Sequence, residues 1–213
     1  MFDNQVYLRE TKVCGVGPWL WPKEDTGAWE GPHNEYEGLQ DKVLRRAKGR
    51  NVIVQSGGCC GMYPRLWSEK FETVYTFEPD PLSFHCLVNN CQSERIHKFN
   101  AALGRERGMI WLNQRDNKQN VGMHQVATNK TGEDSVQVQV ILIDDLNLSA
   151  CDVMQLDVEG YEFNVLKGAE KTIEKFKPII VVENPSGTVL NFLTNFGYQQ
   201  YDTNAADRLF AIP

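Results

Sequence analysis

No C-x-x-C pair and no His/Cys ligand spacing occur among the six cysteines, Cys14, Cys59, Cys60, Cys86, Cys91 and Cys151. That argues against structural zinc and against a disulfide framework, and reduced, mostly buried thiols are expected. No apolar run approaches membrane-spanning length. The N-terminal MFDNQVYLRE has no basic-then-apolar leader pattern, so a soluble, cytoplasmic chain with no membrane contact is expected. A P-loop is missing, and Gly57, Gly58 and Gly61 do not make G-x-G-x-x-G, which disfavours NAD and P-loop nucleotide chemistry. Positive charge is in short supply, with 22 Lys and Arg against 28 Asp and Glu for a net charge of −6. Bulk attraction to nucleic acid is therefore not expected. Lys42, Arg45, Arg46, Lys48 and Arg50 form the one basic concentration, read as a solvated helix end that complements the helix dipole. Internal repeats and low-complexity tracts are absent too.

What is present centres on Asn51–Tyr63, NVIVQSGGCCGMY. Val52, Ile53 and Val54 read as a buried parallel strand. It breaks into Gly57-Gly58-Cys59-Cys60-Gly61 before a helical segment, which lets backbone approach a ligand without interference from Cβ atoms. One crossover later Thr73–Glu78 reads as a second strand ending in a carboxylate, followed by Pro79-Asp80-Pro81. Glycine turn, crossover helix, strand and terminal acid describe a nucleoside-cofactor site at the carboxyl edge of an open sheet, with Glu78 accepting from ribose hydroxyls.

The 213 residues suit one α/β domain. Helices are expected over Glu35–Lys48, Pro81–Cys91, Glu162–Phe176 and Asn191–Phe196. Further strands are expected over Ile96–Leu103, Gly108–Leu112, Val136–Leu142, Cys151–Asp157 and Ile179–Glu183, with Tyr198–Asp202 and Arg208–Ile212 as a closing antiparallel pair. Gly168 inside the third helix suggests close packing on the sheet. The polar connection Asn113–Asp134 is long enough to be functional or mobile. Residues 1–40 carry three of the five tryptophans among glycines and prolines, with no sustained period. Such a segment either covers a pocket mouth, offering Trp19 and Trp21 to a sugar or other flat ligand, or seals an apolar face.

Read together, these segments resemble the FkbM-type methyltransferases. The most specific stretch is Gln155–Glu183, QLDVEGYEFNVLKGAEKTIEKFKPIIVVE, similar to that family's D-x-E-G-x-E, V-L-x-G-A and P-x-I-x-x-E. QSGGCCG, VYTFEPDP, NAALG and ILIDDL support it, over about residues 50–213. The resemblance implies a three-layer, Rossmann-like class I methyltransferase sheet, mostly parallel with an antiparallel C-terminal strand pair. A single domain over 1–213 is expected, with 1–48 an aromatic-rich extension or lid outside the resemblance and 49–213 the catalytic core. The resemblance also implies S-adenosylmethionine as cofactor and a hydroxyl acceptor, with a saccharide or other polyhydroxylated small molecule fitting the tryptophans and acids. Two positions depart from the pattern: Gln55 stands where the family shows an acid, and Cys59 where it commonly shows asparagine.

On that reading Gln55, Gly57, Gly58, Cys59, Gly61, Glu78, Pro79, Asn100, Ala101 and Asp157 contact the cofactor. Gln55 meets its ammonium group or a bridging water, and Asn100 and Ala101 sit by the adenine. Transfer to a hydroxyl needs a base to take the proton; Asp157 and Glu159 are the candidates, with His124 on the long loop as an alternative. Glu183 is placed to bind acceptor hydroxyls, and Glu162 reads as a first-turn acid. No metal is required, although Asp157, Glu159 and Glu183 together can hold magnesium. The competing readings are a binding module that has lost its chemistry, for which Gln55 and Cys59 speak, another nucleotide-dependent enzyme, and a nucleic-acid methyltransferase working through Lys42–Arg50.

Overall fold

A computed structural model of the chain describes residues 2–113, 120–131 and 133–213. Residues 114–119 and 132, inside the expected long connection, lie outside the described residues.

Strands β1 (Val6–Arg9) and β2 (Trp19–Pro22) pair as an antiparallel hairpin ahead of α1 (Gly27–Arg46). The segment expected to be irregular thus contains a hairpin, and the first helix starts eight residues before Glu35. The core follows as β3 (Val52–Ser56), α2 (Met62–Trp67), β4 (Thr73–Phe77), α3 (Pro81–Asn90) and β5 (Ile96–Phe99). Next come β6 (Ala102–Leu103), β7 (Gly108–Asn113), β8 (Gln125–Ala127), β9 (Val136–Ile141) and β10 (Val153–Leu156). The chain closes with α4 (Glu162–Lys167), α5 (Glu170–Phe176), β11 (Ile179–Glu183), α6 (Gly187–Asn195), β12 (Gln199–Asn204) and β13 (Asp207–Ala211).

Among the described residues the main sheet has seven strands in the order β12-β13-β11-β10-β3-β4-β5. All neighbours run parallel except β13, which is antiparallel to both β11 and β12. Alternation along β3 explains the three layers. Ile53 joins the apolar cluster made with α1, α2 and α3, whereas Val52 and Val54 join the one made with α4, α5 and α6. Fully burying each such side chain contributes roughly 1.5–3 kcal/mol. A strand apolar on both faces can only be central, and β3 is flanked by β4 on one side and β10 on the other.

Two expected elements divide. The strand expected over Ile96–Leu103 leaves the main sheet after Phe99, because Asn100 Nδ2 donates to the carbonyls of Glu78 (2.8 Å) and Pro79 (3.1 Å) and turns the chain. Ala102–Leu103 then pairs with β9 in a separate four-stranded sheet, β6-β9-β7-β8. The helix expected over Glu162–Phe176 breaks at Gly168-Ala169. A Cβ on Gly168 would lie 1.9 Å from the Gly104 carbonyl oxygen, so the close approach is to the turn after β6 rather than to the main sheet. Asp144 restarts the helix by accepting from the amides of Lys171 (3.1 Å) and Thr172 (2.9 Å). The last helix also begins early, where Ser186 Oγ accepts from Val189 N at 3.3 Å.

Candidate functional site

The carboxyl ends of β4, β3, β10 and β11 form one line. The last register pairs are Phe77↔Ser56, Ser56↔Leu156 and Leu156↔Val182, and β11 ends beside β13 in the pair Glu183↔Asp207. One residue further, Glu78, Gly57, Asp157, Glu183 and Asp207 therefore lie side by side. The glycine in this row is obligatory. Gly57 has φ +81°, and a Cβ there would sit 1.7 Å from the Asp157 carbonyl oxygen. Gly57 and Gly58 both donate their amides to Phe77 O, at 3.1 and 2.9 Å. Gly61, φ +90°, opens α2.

Glu78 is buried against this loop. Its Oε2 accepts from Cys59 N and its Oε1 from Asp80 N, each at 2.7 Å. Burial first, then the neighbouring Asp80 charge, pushes its carboxyl up to about 8 against these two amide bonds. A carboxylate oxygen has two lone pairs, so each can still accept from one hydroxyl of a vicinal diol. Asp80 caps α3 by accepting from Leu82 N (2.9 Å) and Ser83 N (2.8 Å), and its other oxygen lies 3.2 Å from His124 Nδ1.

Beyond Gly57 the row is acidic. Asp157, Glu159 and Glu183 bring one carboxylate oxygen each within 4.8 Å of one another, a spacing that a cation's ligand shell also fits. Burial, the Glu183 charge and a shared hydrogen bond with Glu183 hold the Asp157 carboxyl well above its ordinary range, with smaller contributions from Asp207 and Glu159. Burial beside Glu183 and Glu35 pushes Asp207 up to about 7. Glu159 sits at φ +52° ahead of Gly160 at φ +96°. Glu162 Oε1 locks that turn by accepting from Gly160 N at 2.9 Å.

Two cavities open on this edge, one of about 70 Å³ and one of about 130 Å³. They meet at Gly57, Cys59, Gly122, Asp157 and Glu159. The smaller runs past Glu78, Pro79 and Ala101 to Leu103 and Leu112, and the larger holds Glu183, Tyr63 and Trp21.

Several expected contacts are placed differently. The Gln55 side chain faces away from both cavities. Its Nε2 donates to Gly57 O at 2.7 Å and its Oε1 accepts from the Thr76 hydroxyl at 2.6 Å, so it braces the loop from beneath. Asn100 lines neither cavity, its amide being turned back on the Glu78 and Pro79 carbonyls. Trp19 is fully buried, with its indole N–H on Val16 O (3.1 Å) and the Arg65 guanidinium 4.5 Å from its ring centre, so it seals the core and lines neither of these cavities. Trp21 is buried as well but reaches the larger cavity's wall. His124 stands beside Asp80 on the smaller cavity, and Glu183 stands on the larger.

The sequence reading missed the roof. Asp25, fully buried, accepts from Trp21 Nε1 (2.6 Å) and Val121 N (2.9 Å) and so ties the N-terminal segment to the turn at Val121–Met123. No local motif marks this bond, because its partners are 96 residues apart. Asp207 was within reach of sequence, being the residue that opens the last strand opposite Glu183.

The family model described as the methyltransferase FkbM domain matches residues 60–199. No curated protein matches the chain. Similar solved structures include a methyltransferase FkbM from Methylobacillus flagellatus KT, 21% identical over 75% of this chain and 42% of that one, with a TM-score of 0.50. A Pyrococcus abyssi tRNA (uracil-54, C5)-methyltransferase in complex with S-adenosyl-L-homocysteine is 13% identical over 97% of this chain and 44% of that one, TM-score 0.51. Trm5b from Pyrococcus abyssi is 11% identical over 98% and 55%, TM-score 0.50. At these identities the likeness is one of fold. The chain spans about half the length of these structures, from 42% to 55%.

Proposed function

The chain belongs to the methyltransferase FkbM domain family, and from that premise we propose that it transfers a methyl group from S-adenosylmethionine to a hydroxyl oxygen of a saccharide or other polyhydroxylated small molecule. The observation that carries the hydroxyl reading is the carboxylate cluster of Asp157 and Glu159, where the two cavities meet, with Glu183 beside them on the wall of the larger.

The residues fit a nucleoside cofactor. Gly57 and Gly58 keep the loop free of Cβ atoms, and Glu78 presents two oxygens with lone pairs to spare. When bound, S-adenosylmethionine supplies an electrophilic methyl group. Glu78 holds the ribose diol, with Cys59 N and Asp80 N fixing its carboxylate in place. Asp157, in its ionised form, takes the acceptor's proton, and Glu183, its neighbour on the larger cavity, binds the acceptor's other hydroxyls. A base so positioned contributes roughly 10²–10⁴ in rate. Tyr63, with the buried Trp21 beside it, gives the larger cavity an aromatic wall against which a sugar ring can pack. The two departures from the family pattern do not argue for lost chemistry. Gln55 braces the loop, and Cys59 acts through its backbone amide.

Transfer of labelled methyl from S-adenosylmethionine to a panel of glycans and polyols tests this reading. Labelling of at least one member, reduced 100-fold or more by Asp157→Asn, is expected. A panel with no labelled member, or an Asp157→Asn enzyme as fast as wild type, would overturn it.

A further inference from the structure

Ser56 is the last residue of β3 and is 1% exposed, yet its Oγ has no hydrogen-bond partner. Its backbone is fully employed, the carbonyl accepting from Asp157 N at 3.2 Å. An unsatisfied buried hydroxyl is costly, and native proteins seldom keep one without a use. Three other buried polar side-chain atoms lack partners among the described residues: Arg9 Nε, Tyr36 Oη and Ser83 Oγ. None of those residues lines either cavity, whereas Ser56 lines the smaller one.

Strand alternation fixes which part of a ligand it meets. Ser56 shares a face with Val54 and Leu156, the face of the α4–α6 layer, whereas Glu78 lies on the opposite face, with Thr76 and Val74. The cavity crosses the sheet edge between them. On Ser56's side it is walled by Ala102, Leu103, Leu112, Val126 and Tyr161, a largely apolar slot in which the Ser56 hydroxyl is the buried polar atom left unpaired. A nucleoside with its ribose at Glu78 and its thioether chain toward Asp157 turns its base into that slot.

We propose that the Ser56 hydroxyl is the hydrogen-bonding contact for the purine base of the bound nucleoside. The inference rests on the cofactor reading above and adds a residue that neither the glycine loop nor the acidic row accounts for.

The test measures affinity for S-adenosylhomocysteine and for S-ribosylhomocysteine, which keeps the diol and the amino acid but lacks the base, in wild type, Ser56→Ala and near-isosteric Ser56→Cys. S-adenosylhomocysteine should bind Ser56→Ala about 3- to 10-fold more weakly, with Ser56→Cys between, while S-ribosylhomocysteine binds all three alike. Without ligand, Ser56→Ala should melt no lower than wild type, since it removes an unpaired polar group; a merely structural hydroxyl would give a lower melting temperature. Unchanged affinity for S-adenosylhomocysteine, or equal losses for both ligands, would overturn the assignment. Failure of wild type to bind S-adenosylhomocysteine at all would instead overturn the cofactor reading, and this inference with it.

Discussion

Glu78 is cheaper to keep protonated in the folded chain than in the unfolded one. Its carboxyl is pushed up to about 8 from an ordinary 4.5, so between those values the folded state holds a proton that the unfolded state releases. Stability from this group is therefore full below about 4.5 and lost as pH rises through about 8. Glu78→Gln removes the titration, and its melting temperature relative to wild type should rise by roughly 5 °C or more between pH 5.5 and pH 9. Scanning fluorimetry at both pH values checks this, and a constant difference would contradict it. Asp207 bears on chemistry by the same physics. It faces Glu183 across the strand pair and raises the Asp157 carboxyl. Asp207→Asn removes that charge, so Asp157 should ionise at lower pH. The rising limb of methyl transfer against pH should move toward acid, whereas a variant that is only less stable would lower the whole curve without moving it.

Among the elements, close approaches decide where segments begin and end. Gly168 is the clearest case. A methyl group there would lie 1.9 Å from the backbone oxygen of Gly104, which cannot swing away as a side chain would. Gly168→Ala, neutral or stabilising in an ordinary helix interior, should here lower stability by about 1–3 kcal/mol, read as a fall in melting temperature. A rise would mean that α4 and α5 do not meet the turn after β6 as described. The same residue shows where the sequence was legible and where it was not. Strand ends were readable because strand-like runs stop at an acid: Thr73–Phe77 before Glu78, Val153–Leu156 before Asp157, Ile179–Val182 before Glu183. Those stops put Glu78, Asp157 and Glu183 at one edge of the sheet. The break at Gly168 was unreadable because its cause, Gly104, is 64 residues away in sequence. Gln55 misled for a related reason. Expected at the head of the loop, it lies within β3, where strand parity turns its amide toward Thr76 instead of the cavity.

For the whole molecule, charge and topology point the same way. The net charge is −6, and the acids concentrate at the carboxyl edge of the sheet. The basic cluster at the end of α1 is solvated as expected, with Arg45, Arg46, Lys48 and Arg50 exposed, while side-chain contacts join it to the sheet's outermost strand. Lys42 Nζ donates to Thr203 O and to Asn204 Oδ1, Arg45 lies 3.7 Å from Asp202, and Arg46 stacks over Tyr201 at 5.7 Å. No helix among the described residues is long and apolar enough to cross a membrane. The N-terminal tryptophans, open in sequence between lid and seal, divide: Trp19 seals the core, and Trp21, through Asp25, holds the roof. All of this turns on a nucleoside cofactor seated between the glycine loop and Glu78. Calorimetric titration of wild type and Glu78→Ala with S-adenosylmethionine, S-adenosylhomocysteine and NAD tests that most directly. Binding of both sulfur compounds and not NAD, weakened tenfold or more in Glu78→Ala, is the predicted result; no binding of either sulfur compound by wild type, or equal binding by Glu78→Ala, would contradict it.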